Sequence, residues 1–255
     1  MEIKGKLAVV VGGASGMGRA SAELLAERGA QVAIIDRPGG AGEEVATAIG
    51  GVFFEGDITD HWGIEAQLAQ AVTSLGGLHI AVNTAGGGIV GKTLGKDGPH
   101  ALDAFTSVIN LNLISTFNLN RLQAAHMAQS EPNEDGERGV IINTSSIAAF
   151  EGQIGQVAYS AAKAGIAGMA LTMARDLGSY TSGCWRSRRA CSTPVRSPGC
   201  LRTWSVHSSP ATPSPSGWDS PRSTPSSPSR SPRTPCSTAS ACDSTPACAS
   251  PRADP

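Results

Sequence analysis

Tyr159 and Lys163 lie four residues apart in the run Ala158-Tyr159-Ser160-Ala161-Ala162-Lys163, a spacing that puts both side chains on one face of a helix. A phenol beside an ammonium ionises more easily, so the pair could give or take a proton at a reacting oxygen. Ser146, thirteen residues before Tyr159, could hydrogen-bond the same oxygen. A Tyr-Lys pair on a helix and a serine after a strand are each more often structural than catalytic. Their weight comes from a glycine cluster near the start of the chain, beside which they could act jointly.

That cluster is Gly12-Gly13-Ala14-Ser15-Gly16-Met17-Gly18, between the apolar run Lys6–Val11 and the helical pattern of residues 17–28. Glycines there let the backbone turn tightly and approach a pyrophosphate, and the following helix N-terminus offers free N–H groups and a positive dipole end. A glycine cluster alone usually marks a turn, but strand, loop and helix in this order point to a dinucleotide. Ser15, Gly16, Met17 and Gly18 would then face the phosphates, with Gly12 at the turn.

To position these residues the chain offers further apolar runs at 31–36, 52–55, 79–83 and 140–143, each followed by a plausible helix. Runs apolar on both faces belong to strands covered on both sides. The expected architecture is therefore α/β, a doubly wound parallel sheet of the Rossmann type. Asp36 ends the second strand, where a carboxylate can accept hydrogen bonds from the adenosine ribose and would repel a 2′-phosphate. This favours NAD over NADP, although neighbouring Arg37 could accommodate a phosphate and a solvated strand-end Asp is the plain alternative. Asp57 with Ile58, and Asn83, Ala85 and Gly86 in Asn83-Thr84-Ala85-Gly86, also follow strands at the rim where ligands bind; singly, each could be a turn former. Loops over 86–102 and 130–139 read as surface excursions.

The 255 residues are 40% hydrophobic and 16% charged with a net charge of −1, which suits one large α/β domain and gives no reason to propose nucleic acid or a membrane as partner. No apolar run approaches the roughly 20 residues of a membrane span, and the N-terminus lacks a secretory layout, so the expected location is cytoplasmic. These averages conceal a break near Tyr180. Residues 1–180 carry 11 Lys+Arg against 18 Asp+Glu, and residues 181–255 carry 9 against 3, with all 6 Cys and 13 of the 16 Pro. The expected division is a catalytic domain, 1–180, and a Ser/Pro/Arg/Cys tail, 181–255, irregular or disordered and without a sixth strand. Its cysteines form no Cys-x-x-Cys pair and have only His207 for company, so no metal site is expected. Shifting the tail back one base permits Ile-Arg-Val-Leu-Ala-Ile-Ala-Pro-Gly-Leu-Phe-Asp from Thr181 onward, a β-branched strand ending in a turn. A shifted reading frame accounts for the tail better than a genuine interaction segment. The competing function, a nucleotide-binding scaffold with a docking tail, requires the tail to be real.

Taken together, Gly-x-x-x-Gly-x-Gly, Asn-x-Ala-Gly, Ser146 and Tyr-x-x-x-Lys, in this order over residues 5–180, resemble the short-chain dehydrogenase/reductase family. The resemblance implies that Ser146 stabilises the substrate oxygen, Tyr159 exchanges its proton, Lys163 binds the nicotinamide ribose, and Asn112 in Leu111-Asn112-Leu113 supports a proton relay. Hydride would pass between NAD(H) and the carbinol carbon of a secondary alcohol. Residues 138–146, Ala149-Phe150-Glu151-Gly152-Gln153 and the two loops resemble the branch of type-2 3-hydroxyacyl-CoA dehydrogenases, which implies a small-molecule substrate of the acyl-CoA kind and a homotetramer.

Overall fold

A run such as Leu7-Ala8-Val9-Val10-Val11 sends alternate side chains to opposite faces of a sheet, so an apolar residue at every position requires cover on both. The structure, a computed structural model, describes residues 1–180 and 202–206, within one unit that spans Met1–Thr212. In chain order the elements are β1 (Leu7–Val11), α1 (Gly16–Glu27), β2 (Gln31–Asp36), α2 (Gly42–Ala48), β3 (Val52–Glu55), α3 (Gly63–Leu75) and β4 (Ile80–Asn83). A two-strand hairpin follows, β5 (Leu94–Gly95) and β6 (Gly98–Pro99), then α4 (Leu102–Ile109), a π-helical segment (Asn110–Ile114) and α5 (Ser115–Met127). The last elements are β7 (Val140–Thr144), α6 (Val157–Leu177) and β8 (Arg202–Val206).

The main sheet is parallel throughout, in the order β3-β2-β1-β4-β7-β8. Alternation along β1 and β2 separates two cores. Val9, Val11, Ala33 and Ile35 pack with Ile64 and Leu68 of α3 and Leu119 and Met127 of α5. Ala8, Val10, Val32 and Ile34 pack under Ala22 of α1 and Val45 of α2. Ile34 and Ile35 are both fully buried, each worth roughly 1.5–3 kcal/mol relative to exposure. The order reverses direction at β1 and β4, and the crevice beyond their carboxyl ends is where such sheets bind ligands. Among the described residues no helix is long and apolar enough to cross a membrane.

The excursion over 86–102 is not shapeless, since the β5–β6 hairpin lies within it and Gly91 donates its N–H to the Gly155 carbonyl at 2.8 Å. The expectation that the tail supplies no strand is corrected by β8, which pairs with β7 with Arg202 opposite Val140 and Val206 opposite Thr144. Thr203, Trp204 and Val206 favour pleated backbone, and the outer edge of β7 offers an unsatisfied row of N–H and C=O groups. The other expectations for residues 181–255 lie outside the described residues.

Candidate active site

The loop from β1 to α1 turns at Gly12, whose φ of +86° suits glycine. A Cβ there would stand 2.6 Å from the Ala85 nitrogen and 2.7 Å from Thr84 Oγ1. At Gly18 a Cβ would fall on the Gly12 carbonyl. Thr84 Oγ1 donates to the Val11 carbonyl at 2.9 Å, locking the loop after β4 against the glycine turn. At the start of α1, Ser15 makes no side-chain cap and no acidic residue occupies the first turn, so the terminal N–H groups remain available for an anion.

Around this loop lies an open cleft of about 720 Å³, lined by Gly12, residues 15–18, Asp36, Arg37, Asp57, Ile58 and residues 84–88. Asp36 accepts hydrogen bonds from the Ala14 N–H at 2.9 Å and the Arg37 N–H at 2.8 Å, which hold its carboxylate at the cleft beside the loop. Asp57 also lines the cleft and closes a local turn, taking the N–H and hydroxyl of Thr59 at 2.8 and 2.7 Å. Those two bonds hold its carboxyl below the usual carboxylate range. Of the residues that the sequence nominates for the cofactor by their strand-end positions, Asn83 alone is turned away. Its side chain is buried and hydrogen-bonded to Asn120, Gln123 and Asn143.

Helix α6 delivers the proton-transfer pair. Lys163 Nζ stands 5.5 Å from the centroid of the Tyr159 ring and donates to the Thr144 carbonyl at 3.0 Å. Only 4% of Lys163 is exposed, and burial without a carboxylate partner among the described residues brings its ammonium down to about 8. Ser146 caps the short 3-10 turn Ile147–Ala149, accepting the Ala148 N–H at 3.2 Å; its own hydroxyl proton is left for another acceptor. The preceding Ser145 ties β7 to α6 by donating to the Lys163 carbonyl at 3.0 Å.

Asn112 sits in the π-helical segment and spends its side chain on position. Its Nδ2 donates to the carbonyls of Gly87 and Val108, at 2.7 and 2.8 Å, while Oδ1 accepts from the Gly87 N–H at 3.2 Å. This clamp brings Gly86 so close that a Cβ there would stand 2.7 Å from Asn112 Oδ1 and 3.5 Å from Lys163 Nζ. A Cβ on Gly88 would meet the Tyr159 ring at 3.4 Å. The strip 86–88 thus joins the nucleotide cleft to the Tyr-Lys pair. Sequence reasoning missed this role of the strip and the π-helical register, for which side-chain pattern gives no signal. The narrow cradle at Gly12 and Gly18, the uncapped helix and the strand-end carboxylate all fit a dinucleotide.

Comparison with known proteins agrees with this geometry. Residues 6–182 match the family described as short chain dehydrogenase. A 3-hydroxyacyl-CoA dehydrogenase type-2 of Drosophila melanogaster is 49% identical over 179 residues, 69% of this chain and 70% of the relative. The human protein of that name is 48% identical over 69% of each chain. The crystal structure of a 3-hydroxyacyl-CoA dehydrogenase type-2 from Mycobacterium avium superposes with a TM-score of 0.67 at 40% identity, over 71% of this chain and 73% of that one.

Proposed function

The chain belongs to the short chain dehydrogenase family, and on that premise we propose that it interconverts a 3-hydroxyacyl-CoA and its 3-ketoacyl-CoA with NAD(H), as a soluble cytoplasmic homotetramer. The observation that carries the reading is the convergence of Tyr159, Lys163 and Asn112 on the strip 86–88 at the end of the glycine-lined cleft. The acyl-CoA substrate is supported by the names of the relatives.

When bound, the nicotinamide dinucleotide supplies or accepts a hydride at the substrate carbon. Gly12, residues 15–18 and Asp36 would hold it, and the nicotinamide end would reach the strip 86–88. In the reducing direction the Ser146 hydroxyl donates a hydrogen bond to the substrate carbonyl oxygen, and Tyr159 gives that oxygen its proton; oxidation reverses both. Lys163, fixed by the Thr144 carbonyl, places its positive charge 5.5 Å from the centre of the Tyr159 ring. Asn112 keeps the strip at a set distance from both groups.

The choice of NAD over NADP rests on Asp36, whose carboxylate would repel a ribose 2′-phosphate. Steady-state reduction of acetoacetyl-CoA is expected to be faster with NADH than with NADPH. Asp36→Ala should narrow that preference by about tenfold or more, the equivalent of about 1.4 kcal/mol. An unchanged ratio would show that Asp36 does not read the ribose.

We also propose that residues 181–255 are written in a shifted frame. The family match ends at residue 182, where the composition changes, and the one-base shift restores strand and turn chemistry. A chain of residues 1–180 followed by the restored frame is then the working enzyme, and the chain as written an impaired form. The intact mass of the protein made from the gene should differ from 25.9 kDa; a mass of 25.9 kDa would establish the tail as genuine.

A further inference from the structure

Four side-chain amides sit where the core should be apolar. Asn83, the last residue of β4, and Asn143, the penultimate residue of β7, stand at facing positions of the sheet register, and Asn120 and Gln123 come from α5. Asn120 and Gln123 are fully buried, while Asn83 and Asn143 are 5% and 4% exposed. Asn83 Nδ2 donates toward Asn143 Oδ1 and Gln123 Oε1, both at 2.9 Å, and toward Asn120 Oδ1 at 3.1 Å; Gln123 Nε2 returns a bond to Asn83 Oδ1 at 2.8 Å. Asn120 Nδ2 reaches Met173 Sδ on α6 at 3.7 Å.

The cluster therefore touches β4, β7, α5 and α6. One residue beyond Asn83 begins Thr84-Ala85, which leads into the strip 86–88. One residue beyond Asn143 is Thr144, whose carbonyl holds Lys163 and whose Oγ1 donates to the Asn83 carbonyl at 3.0 Å, and two residues further is Ser146. α5 continues the π-helical segment of Asn112, and α6 carries Tyr159. Aliphatic contacts between these elements would tolerate sliding and rotation, because they have no preferred direction. Amide hydrogen bonds do not.

From this we propose that Asn83, Asn120, Gln123 and Asn143 are positioning residues, a buried amide cluster that sets the register of the elements carrying Ser146, Lys163, Tyr159 and Asn112. None of the four amides reaches the cleft through its side chain. The inference rests on the dehydrogenase reading above, because the geometry being held is that of its proton transfer.

Gln123→Met keeps the length of the side chain and removes its amide, leaving Asn83 Oδ1 without its donor. In the full chain and in its frame-restored counterpart, this variant is expected to lower kcat for acetoacetyl-CoA reduction about tenfold or more, since small misplacements of reacting groups are costly. KM for NADH should stay unchanged, because the glycine loop is untouched. The pH profile of kcat should shift as Lys163 loses its fixed contact with Thr144. A lower melting temperature with kcat and pH profile intact would reduce the cluster to a structural role and overturn the inference. If Gln123→Met does not fold, Asn120→Leu, which removes one acceptor and the Met173 contact, is read by the same two measures. A frame-restored parent that binds NADH but does not turn over overturns the dehydrogenase reading and this inference with it; an active frame-restored parent with an equally active variant overturns this inference alone.

Discussion

Tyr159→Phe is expected to lower kcat by about a thousandfold, within the range typical of a lost general acid-base group, while leaving NADH affinity unchanged. The substitution removes a single oxygen. The ring stays against Gly88, where the strip approaches it, and Lys163 keeps its bond to the Thr144 carbonyl. Packing and charge are thus preserved while the group that carries the proton is lost. Without it, proton delivery falls to water, and the substrate oxygen keeps only the Ser146 hydroxyl. Steady-state kinetics with a parallel NADH titration separates the two effects. A fall in NADH affinity matching the fall in kcat would mean that the phenol serves binding and not chemistry.

The second large effect is expected at Gly18. Gly18→Ala should weaken NADH binding about a hundredfold or more, equivalent to roughly 2.8 kcal/mol. The added Cβ has no room, for it would fall on the Gly12 carbonyl oxygen, 2.7 Å from the Gly12 carbonyl carbon and 2.5 Å from Thr84 Oγ1. Two of those atoms are backbone, so relief requires the loop itself to move, and overpacking of this kind typically costs about 1–3 kcal/mol before any ligand is bound. Gly16 supplies the control. Its φ is +50°, yet a Cβ there would meet nothing within 4 Å. Gly16→Ala should therefore leave the Gly12–Thr84 packing intact and add backbone strain on the order of 1 kcal/mol, so it should bind NADH better than Gly18→Ala. Fluorescence titration of the two variants gives the comparison, and equal losses would contradict the steric account.

The features legible in the sequence are those governed by local periodicity. Gln31–Asp36 and Val52–Glu55 form strands over the residues whose apolar runs predict them, and the glycine loop falls between β1 and α1. Tyr159 and Lys163 share a helix face because four residues make about one turn. Long-range polar pairing was not legible. Asn120 and Gln123 lie in Asn118-Leu119-Asn120-Arg121-Leu122-Gln123, where nothing local shows that the sheet brings Asn83 and Asn143 beneath them. The one available hint is that Ile80–Asn83 and Val140–Asn143 are both apolar runs that end in asparagine. Asn83 is misread for the same reason. A strand end predicts the rim of the cleft, whereas the side-chain direction depends on which face of the sheet that residue occupies. At Asn112, a helical residue gains its clamp on Gly87 from a shift of register that the residue types do not announce.

The measurement closest to the central claim follows the hydrogen itself. Acetoacetyl-CoA is incubated with the frame-restored chain and NADH deuterated on the transferred side of nicotinamide C4, and the product is analysed by mass spectrometry. The expected result is 3-hydroxybutyryl-CoA carrying deuterium on its carbinol carbon, formed by the Tyr159 protein and not at a comparable rate by Tyr159→Phe. Product without deuterium, or no product from a protein that binds NADH, would contradict the assignment.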